Sequence, residues 1–320
     1  MNKYNNPRLL NAVVSGTGMK HPIQPHVVVG NESNGFIRGD LMDANAIVDL
    51  VNSILHPDEG GNTTPDPYNG HEYIDLGLPS GTKWAKMNVG ANSETDNGLY
   101  FAWGETQGYT ASQVGVDKNF TAQDYKFYSI SAPTKYNASD NLTHLELTDD
   151  AAAVNMGGDW HMPNVAQCLE LFKETKNGFV TNAGAFTQCA WDGDILGSNP
   201  TEITATISGW NTAGYFFFKN TYASIADAIS AEDYLFIPAA GNCAAGEVYD
   251  AGDGWLVWVS GLNSQNVISA ADFYFGEDGG GVGDFARYCG LSVHGVVGQM
   301  DEIDEIIPGE ITPGEGGGPK

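Results

Sequence analysis

Four cysteines and seven histidines are the side chains of this 320-residue chain best suited to metal binding, redox chemistry or proton transfer. The cysteines lie far apart and form no C-x-x-C pair of the kind that zinc sites use: Cys168, Cys189, Cys243 and Cys289. We therefore predict no zinc site. Scattered cysteines in a chain of this length favour reduced core residues, and one or two disulfides remain the alternative.

No catalytic motif joins these residues. The chain contains no H-E-x-x-H, no G-x-S-x-G, no phosphate-binding loop and no dinucleotide fingerprint. His161, directly before Met162 and Pro163, is better explained as a packing residue than as a general base. His71 and Glu72 begin an apolar run, where a solvated position is the simpler interpretation. We predict that the protein is not an enzyme and binds neither a cofactor nor a metal.

The charge of the chain limits its partners. It has 14 basic and 40 acidic residues, a formal net charge of −26. Such a field repels nucleic acid and anionic lipid, and it mainly favours solubility. No run approaches the ~20 apolar residues that span a bilayer, and residues 1–10 lack the apolar core of a secretory signal. We expect no nucleic-acid partner and no membrane insertion.

Residues 1–69 are polar, and we interpret them as an N-terminal attachment or oligomerisation segment with a linker at residues 56–67. One helix is predicted in this segment, from a cap at Asp40 to Leu55. Its apolar residues repeat at three- and four-residue intervals: Ala44, Val48, Val51 and Leu55. This spacing suits a short bundle between subunits, and a helix packed on its own domain is an equal alternative. At the other end, residues 301–320 predict a flexible acidic Gly/Pro tail.

Residues 70–300 form the main domain, which is rich in glycine, aromatic residues and short apolar runs. Its clearest helix follows Pro163, with Asn164 and Gln167 as a capping box and Gly178 as its end. The apolar stripe of this helix consists of Val165, Cys168, Leu169 and Phe172. A second helix is predicted over residues 225–231. Short apolar runs predict strands at 215–218, 234–238, 255–259 and 272–275.

Five blocks of the main domain resemble one known family in their order. The blocks are HEYIDLGLPSGTKWAKMNVGA, GLYFAWGET, GGDWHMPNVAQCLELF, FIPAAGN and ARYCGLSV. They resemble the Fibrobacter succinogenes major paralogous domain family of gut Bacteroidetes and their phages. The resemblance implies an α+β, C-type-lectin-like fold of the formylglycine-generating-enzyme branch, with an irregular antiparallel sheet and long loops. We expect the following tryptophans in its core: Trp84, Trp103, Trp160 and Trp258.

Two positions depart from the family pattern. His161 stands where the family has the arginine of Trp-Arg-Met-Pro-Thr, and His294 stands where it has the arginine of Ser-Val-Arg-Pro-Val. The missing arginines put local salt bridges in doubt but leave the expected fold unchanged.

Residues 258–293 resemble, in length and register, the C-terminal region of the variable proteins of diversity-generating retroelements. In those proteins randomised codons replace asparagines, and the region ends in Arg-Tyr-Asn-Gly-Leu-Ser-Val. Here Arg287 and Tyr288 are retained, and Cys289 stands at the asparagine position. The resemblance implies one exposed ligand-binding face composed of Val257, Val259, Gly261, Ile268, Ser269, Asp272, Tyr274, Gly281, Gly283, Asp284, Phe285, Ala286 and Cys289.

Three features of the sequence agree with such a variable surface. Alternation in residues 271–275 places Phe273 and Phe275 in the core and directs Asp272 and Tyr274 outward. Residues 278–293 contain no Lys, Glu, Gln, Met or Trp, which a randomised asparagine codon does not reach. The run GEDGGGVGDFA has many glycines, which cost conformational entropy if they pack against nothing. The alternative is an ordinary Gly-rich loop.

The resemblance implies a receptor-binding adhesin at the tail tip or fibre of a Bacteroidetes phage, which displays its hypervariable surface to a protein or glycan of the host cell. Residues 1–69 would attach it to other virion tail proteins or to further copies of the chain. The lack of a secretory signal favours the virion over a bacterial cell-surface or fimbrial-tip adhesin, which is the alternative. A formylglycine-generating-type enzyme is more distant, because Cys289 has no partner cysteine near it in the sequence.

Overall fold

The computed structural model describes residues 28–31, 35–38, 68–129, 132–191, 198–263, 266–277 and 279–298. The chain divides into two units, residues 1–63 and 64–320. In the first unit, β1 (Val28–Asn31) and β2 (Gly35–Arg38) pair as antiparallel strands. The predicted helix from Asp40 to Leu55, the linker up to residue 67 and the tail at residues 301–320 lie outside the described residues.

The second unit is built mainly from strands. In chain order they are β3 (Tyr73–Ile74), β4 (Lys83–Asn88), β5 (Tyr100–Phe101), β6 (Thr175–Val180), β7 (Ala185–Trp191), β8 (Ser198–Thr206), β9 (Gly214–Lys219), β10 (Tyr234–Pro238), β11 (Asn242–Ala244), β12 (Glu247–Tyr249), β13 (Trp255–Leu262), β14 (Ser269–Gly276), β15 (Gly279–Ala286), β16 (Leu291–Ser292) and β17 (His294–Val297). Ten of them form one sheet in the order β10-β9-β6-β7-β8-β15-β14-β13-β16-β5. A second sheet has the order β17-β4-β3, and β11 pairs with β12.

Within these sheets neighbouring strands are antiparallel, except for the parallel pair β13–β16. The described part of the chain has three α-helices: α1 (Ala151–Met156), α2 (Val165–Glu174) and α3 (Ile225–Ser230). None of the helices that the structure describes combines the length and apolar character needed to cross a membrane. The domain is thus rich in antiparallel β-structure with few helices, as expected. Helix α3 and strands β9, β10, β13 and β14 occupy the predicted positions.

Helix α2 begins as predicted and ends early. Asn164 accepts a hydrogen bond from the backbone N–H of Gln167, whose side chain accepts one from the N–H of Asn164 in return. The predicted end at Gly178 is wrong, because the helix stops at Glu174 and Gly178 lies within β6. A Cβ atom at Gly178 would lie 2.4 Å from the carbonyl oxygen of Thr187 in β7. The glycine therefore allows two strands to approach closely instead of ending a helix.

The second unit begins before the predicted boundary at residue 70. The Tyr68 hydroxyl donates to Asp159 Oδ2 at 2.6 Å, and Trp160 Nε1 donates to the Tyr68 carbonyl oxygen at 3.0 Å. Asn69 also bonds to the backbone of α1, since its amide donates to the Met156 carbonyl oxygen. Residues 68 and 69 thus belong to the second unit.

Two hydrophobic clusters take alternate residues of β13 and β14. Val257 and Phe273 belong to the first cluster, together with Phe172 of α2, whose ring centroid lies 4.8 Å from that of Phe273. Trp258 and Ala270 belong to the second cluster. The tryptophans predicted in the core are all at most 1% exposed, which confirms that prediction: Trp84, Trp103, Trp160 and Trp258.

Candidate functional site

Strands β14 and β15 pair in one continuous antiparallel register, which runs from Ser269 opposite Ala286 to Gly276 opposite Gly279. Residues 281–286 of the Gly-rich segment therefore lie directly beside β14. On its other side β14 pairs with β13. This arrangement fixes which side chains are neighbours, because directly opposed residues of antiparallel strands lie on the same face.

One face of these three strands carries Asp272. Trp258 lies opposite Asp272 on β13 and Gly283 lies opposite it on β15. Tyr274, two residues along β14, has Leu256 and Gly281 as its partners. We call this surface the Asp272 face, and its residues are Leu256, Trp258, Ala270, Asp272, Tyr274, Gly281, Gly283 and Phe285.

The structure divides the predicted ligand-binding residues. Those on the Asp272 face are Asp272, Tyr274, Gly281, Gly283 and Phe285. Six others lie on the opposite face or next to residues of that face: Val257, Val259, Gly261, Ser269, Asp284 and Ala286. Ile268 precedes β14 and Cys289 follows β15. Asp284 pairs with Ala271, so the side chains of Asp284 and Asp272 leave the sheet on opposite faces.

The expected exposure of the set is wrong for several members. Val257, Val259 and Cys289 are 2%, 0% and 5% exposed, and Asp272 is 2% exposed. Strand β13 lies between β14 and β16, and other residues pack against both of its faces. Side chains that point to opposite faces of β13 are therefore both buried. Gly261, Ser269 and Gly281 are also buried, whereas the following members are exposed or partly exposed: Ile268, Tyr274, Gly283, Asp284, Phe285 and Ala286.

The glycines of β15 have packing roles that the sequence did not indicate. A Cβ atom at Gly280 would lie 2.8 Å from the ring of Phe172. A Cβ atom at Gly283 would lie 3.0 Å from Asp272 Oδ1 and 3.2 Å from Cδ1 of Tyr274. The expectation that these glycines pack against nothing is therefore wrong. Gly280 makes room for the core, and Gly283 makes room for the Asp272 carboxyl and the Tyr274 ring.

The carboxyl of Asp272 is buried. No other residue in the described ranges donates a hydrogen bond to its carboxyl, which meets only its own backbone amide. Burial raises the pKa of Asp272 to about 8, and the nearby charge of Asp284 adds to the increase. The two residues flanking Gly283 on this side, Tyr274 and Phe285, are half-buried.

Arg287 fixes the chain directly after β15. Its guanidinium, 1% exposed, donates to the Tyr125 hydroxyl at 3.1 Å and to the carbonyl oxygens of Tyr136, Val267 and Lys135 at 3.0, 2.8 and 2.9 Å. It also lies 4.9 Å from the ring centroid of Trp103. From the sequence, Arg287 could be identified only as a residue that the family retains. Its partners could not be identified, because most of them are distant in sequence.

The histidines at the two departures from the family pattern are both buried. His161 Nδ1 lies 2.9 Å from the Met162 carbonyl oxygen, and its Nε2 has no partner within the described part of the chain. His294 contacts Asn88 Oδ1 at 2.8 Å and the Ala85 carbonyl oxygen, and burial lowers its pKa to about 4. Both act as packing residues, as predicted for His161.

The four cysteines are buried free thiols, and burial raises the pKa of each. Cys289 has a spatial neighbour that its sequence context did not reveal. Cys243 pairs with Gly290 through two backbone hydrogen bonds of 2.8 Å, and its thiol interacts electrostatically with that of Cys289. Since burial raises the pKa of both thiols to about 12, neither is favoured as a thiolate nucleophile.

Metal ligands and cavities are further features of the described ranges that could hold an ion or a small molecule. No group of three or more His, Cys, Asp or Glu side chains there is arranged to hold a metal ion. A cavity of about 480 Å³ is lined by His71, Glu72, Asn88, Asn92 and Asn155, among others, and includes no residue of the Asp272 face. Comparison of the chain with protein-family models, with curated proteins and with solved structures found no match.

Proposed function

We propose that this protein is a non-enzymatic receptor-binding adhesin, whose Asp272 face and adjoining exposed residues bind a ligand on a bacterial cell. The observation that supports this proposal best combines a buried acid, to which no other described residue donates a hydrogen bond, with half-buried aromatic side chains on a sheet held by continuous backbone pairing. Rigid strands provide binding specificity without reorganisation of the backbone. Several copies on one particle would raise the avidity of such a surface.

We further propose that the domain has a C-type-lectin-like fold of the Fibrobacter succinogenes major paralogous domain family. The five ordered sequence blocks support this assignment, and so do the burial of their tryptophans and the position of Arg287. In this proposal the protein is a variable protein of a diversity-generating retroelement, carried at the tail tip or fibre of a Bacteroidetes phage. Residues 1–69 would attach it to the virion.

In this proposal the ligand meets the accessible members of the predicted set. Ile268, Tyr274, Gly283, Asp284, Phe285 and Ala286 are accessible to a ligand at least in part. The buried Val257 and Val259 would act indirectly, through the position of β13. A reverse transcriptase gene beside this one, with a near-identical template repeat, would support the retroelement assignment.

Cell binding tests the proposed function directly. Labelled protein is incubated with a panel of Bacteroidetes strains, and bound label is measured by flow cytometry. We expect strain-selective binding that is lost in the double variant Tyr274→Ala, Phe285→Ala. The matched control is Val116→Ala, Ile203→Ala, because both residues are apolar, exposed and distant in sequence from the site. If no strain binds the parent protein, or if the double variant folds and binds like the parent, the proposal is wrong.

A further inference from the structure

Asp272 differs from the other buried acidic residues of the described chain. Glu105 pairs with Lys118, and Asp149 receives hydrogen bonds from Lys126, Lys135 and Tyr136. Asp150 accepts two backbone N–H groups, one from Ala153 and one from Met162. Each of these carboxylates is thus satisfied by the fold. Asp272 is 2% exposed and receives no hydrogen bond from another described residue.

The surroundings of Asp272 are suited to a positive charge. Trp258 lies directly opposite it, Tyr274 follows on the same face of β14, and Phe285 is a diagonal neighbour on β15. The electron-rich faces of aromatic rings attract ammonium and guanidinium groups. The other titratable groups that act on Asp272 electrostatically are Asp284 and Cys168, and neither brings a positive charge.

Gly283 has no side chain that could cover the carboxyl of Asp272. Asp272 Oδ1 lies 3.0 Å from the point where a Cβ atom of residue 283 would be, and the Tyr274 ring lies beside the same point. Gly283 is partly exposed, and its neighbour Asp284 is exposed. The unpartnered carboxyl is therefore directed toward the accessible part of β15.

We propose that Asp272 binds a cationic group of the ligand, an ammonium or a guanidinium, which enters over Gly283 between Tyr274 and Phe285. This inference rests on the proposed function, since it identifies the chemistry that the Asp272 face recognises. Lysine or arginine side chains of a surface protein and the amino sugars of a glycan share that chemistry. The net charge of −26 draws any of these cations toward the protein.

A bound cation would change the protonation of Asp272. Without a ligand, burial raises the pKa of Asp272, so a large fraction of its carboxyl is protonated at neutral pH. A neighbouring positive charge stabilises the carboxylate and lowers that pKa. Cation binding at pH 7 therefore releases protons, and it strengthens as the pH rises toward 8.

Calorimetric titration of the full chain tests the proposal. The cationic probes are N-acetyl-lysine amide, N-acetyl-arginine amide and glucosamine, and the neutral counterparts are N-acetyl-norleucine amide and glucose. Titrations in phosphate and in Tris at pH 7 report proton release, because the two buffers differ in ionisation enthalpy. The variants are Asp272→Asn and, as a control with the same change of charge, Glu202→Gln on β8, where the side chain is exposed.

We expect at least one cationic probe to bind the parent with proton release, and its neutral counterpart to bind at least about tenfold more weakly. The Asp272→Asn variant should bind the cationic probe more weakly by a similar factor and without proton release. The Glu202→Gln control should bind it like the parent. A preference for the amino acid probes points to a protein side chain, and a preference for glucosamine to an amino sugar. If no cationic probe binds better than its neutral counterpart, or if Asp272→Asn binds like the parent, the proposal is wrong.

Failure of this inference can be told apart from failure of the proposed function. If the parent protein binds cells through Tyr274 and Phe285 while Asp272→Asn binds them equally well, the cation proposal fails and the adhesin proposal stands. If the cationic probes bind through Asp272 while no cell strain binds the parent, the adhesin proposal fails and the chemistry assigned to Asp272 stands.

Discussion

Arg287 and Asp272 lie in the same C-terminal region, are 1% and 2% exposed, and are treated in opposite ways by the fold. Arg287 donates to a tyrosine hydroxyl and three carbonyl oxygens and lies against aromatic rings. Asp272 also lies among aromatic residues, yet no other described residue donates to it. The surroundings satisfy one buried charge and leave the other without a partner.

This difference is the one expected between a structural residue and a residue with the proposed binding role. A buried charge with all its hydrogen bonds made fixes the segments that it joins, and its loss leaves several polar groups unsatisfied. A buried charge without partners destabilises the free protein, and it persists where the surrounding fold over-determines it. Such residues concentrate at functional sites.

Arg287→Ala is expected to be the most damaging change. It leaves one buried and two partly buried carbonyl oxygens and the Tyr125 hydroxyl without the donor that Arg287 provides, and we expect a loss of about 3–5 kcal/mol in the free energy of unfolding. Urea denaturation measures it. Arg287→Lys keeps the charge but not the planar set of donors, so its free energy of unfolding should lie between those of Arg287→Ala and the parent. A loss below about 1 kcal/mol for Arg287→Ala would show that the contacts are not structural.

Phe273→Ala tests the core side of the same strand. Phe273 is fully buried, and its ring centroid lies 4.4 Å from that of Phe275 and 4.8 Å from that of Phe172. Its removal should cost about 3–5 kcal/mol in the free energy of unfolding. Calorimetric melting provides the measurement. A variant as stable as the parent would contradict the position of Phe273 between β14 and α2.

Asp272→Asn should make the protein more stable, by about 1–3 kcal/mol at pH 8, because an uncompensated buried charge is replaced by a neutral amide. The pKa of Asp272 is raised in the folded state, so the folded protein binds more protons than the unfolded chain between about pH 4 and pH 8. The stability contributed by this group is therefore lost as the pH rises through that window.

The stability gap between Asp272→Asn and the parent should accordingly widen from pH 4 to pH 8. Melting temperatures at four pH values across the window measure it. A variant that is less stable than the parent at every pH would assign Asp272 a structural role and remove the contrast with Arg287.

Ile268→Ala should have the smallest effect. Ile268 is 55% exposed, and substitutions at exposed positions usually change the free energy of unfolding by less than about 0.5 kcal/mol. The same urea measurement applies. A loss of several kcal/mol in the free energy of unfolding would show that Ile268 is buried and does not belong to the accessible surface around β15.

Local signals in the sequence predicted local structure well. The capping residues before α2 and the apolar runs of β9, β10, β13 and β14 depend on contacts within a few residues, which the sequence shows directly. The burial of Val257, Asp272 and Cys289 depends instead on which strands and loops cover them. The roles of Gly178 and Gly280 were missed for the same reason. Thr187, which approaches Gly178, lies on the neighbouring strand, and Phe172, which approaches Gly280, is distant in sequence.

The pairing of β14 with β15 has a consequence for how this segment tolerates sequence change. Its ladder is made by the main chain along the whole of β15, so its hydrogen bonds do not depend on the identity of the side chains. Substitution is limited where a side chain meets a fixed neighbour, as at Gly280 beneath Phe172. Exposed positions such as Asp284 face no such limit. Exposed side chains of β15 can therefore change while the backbone pairing is kept, as the proposed variation of the binding surface requires.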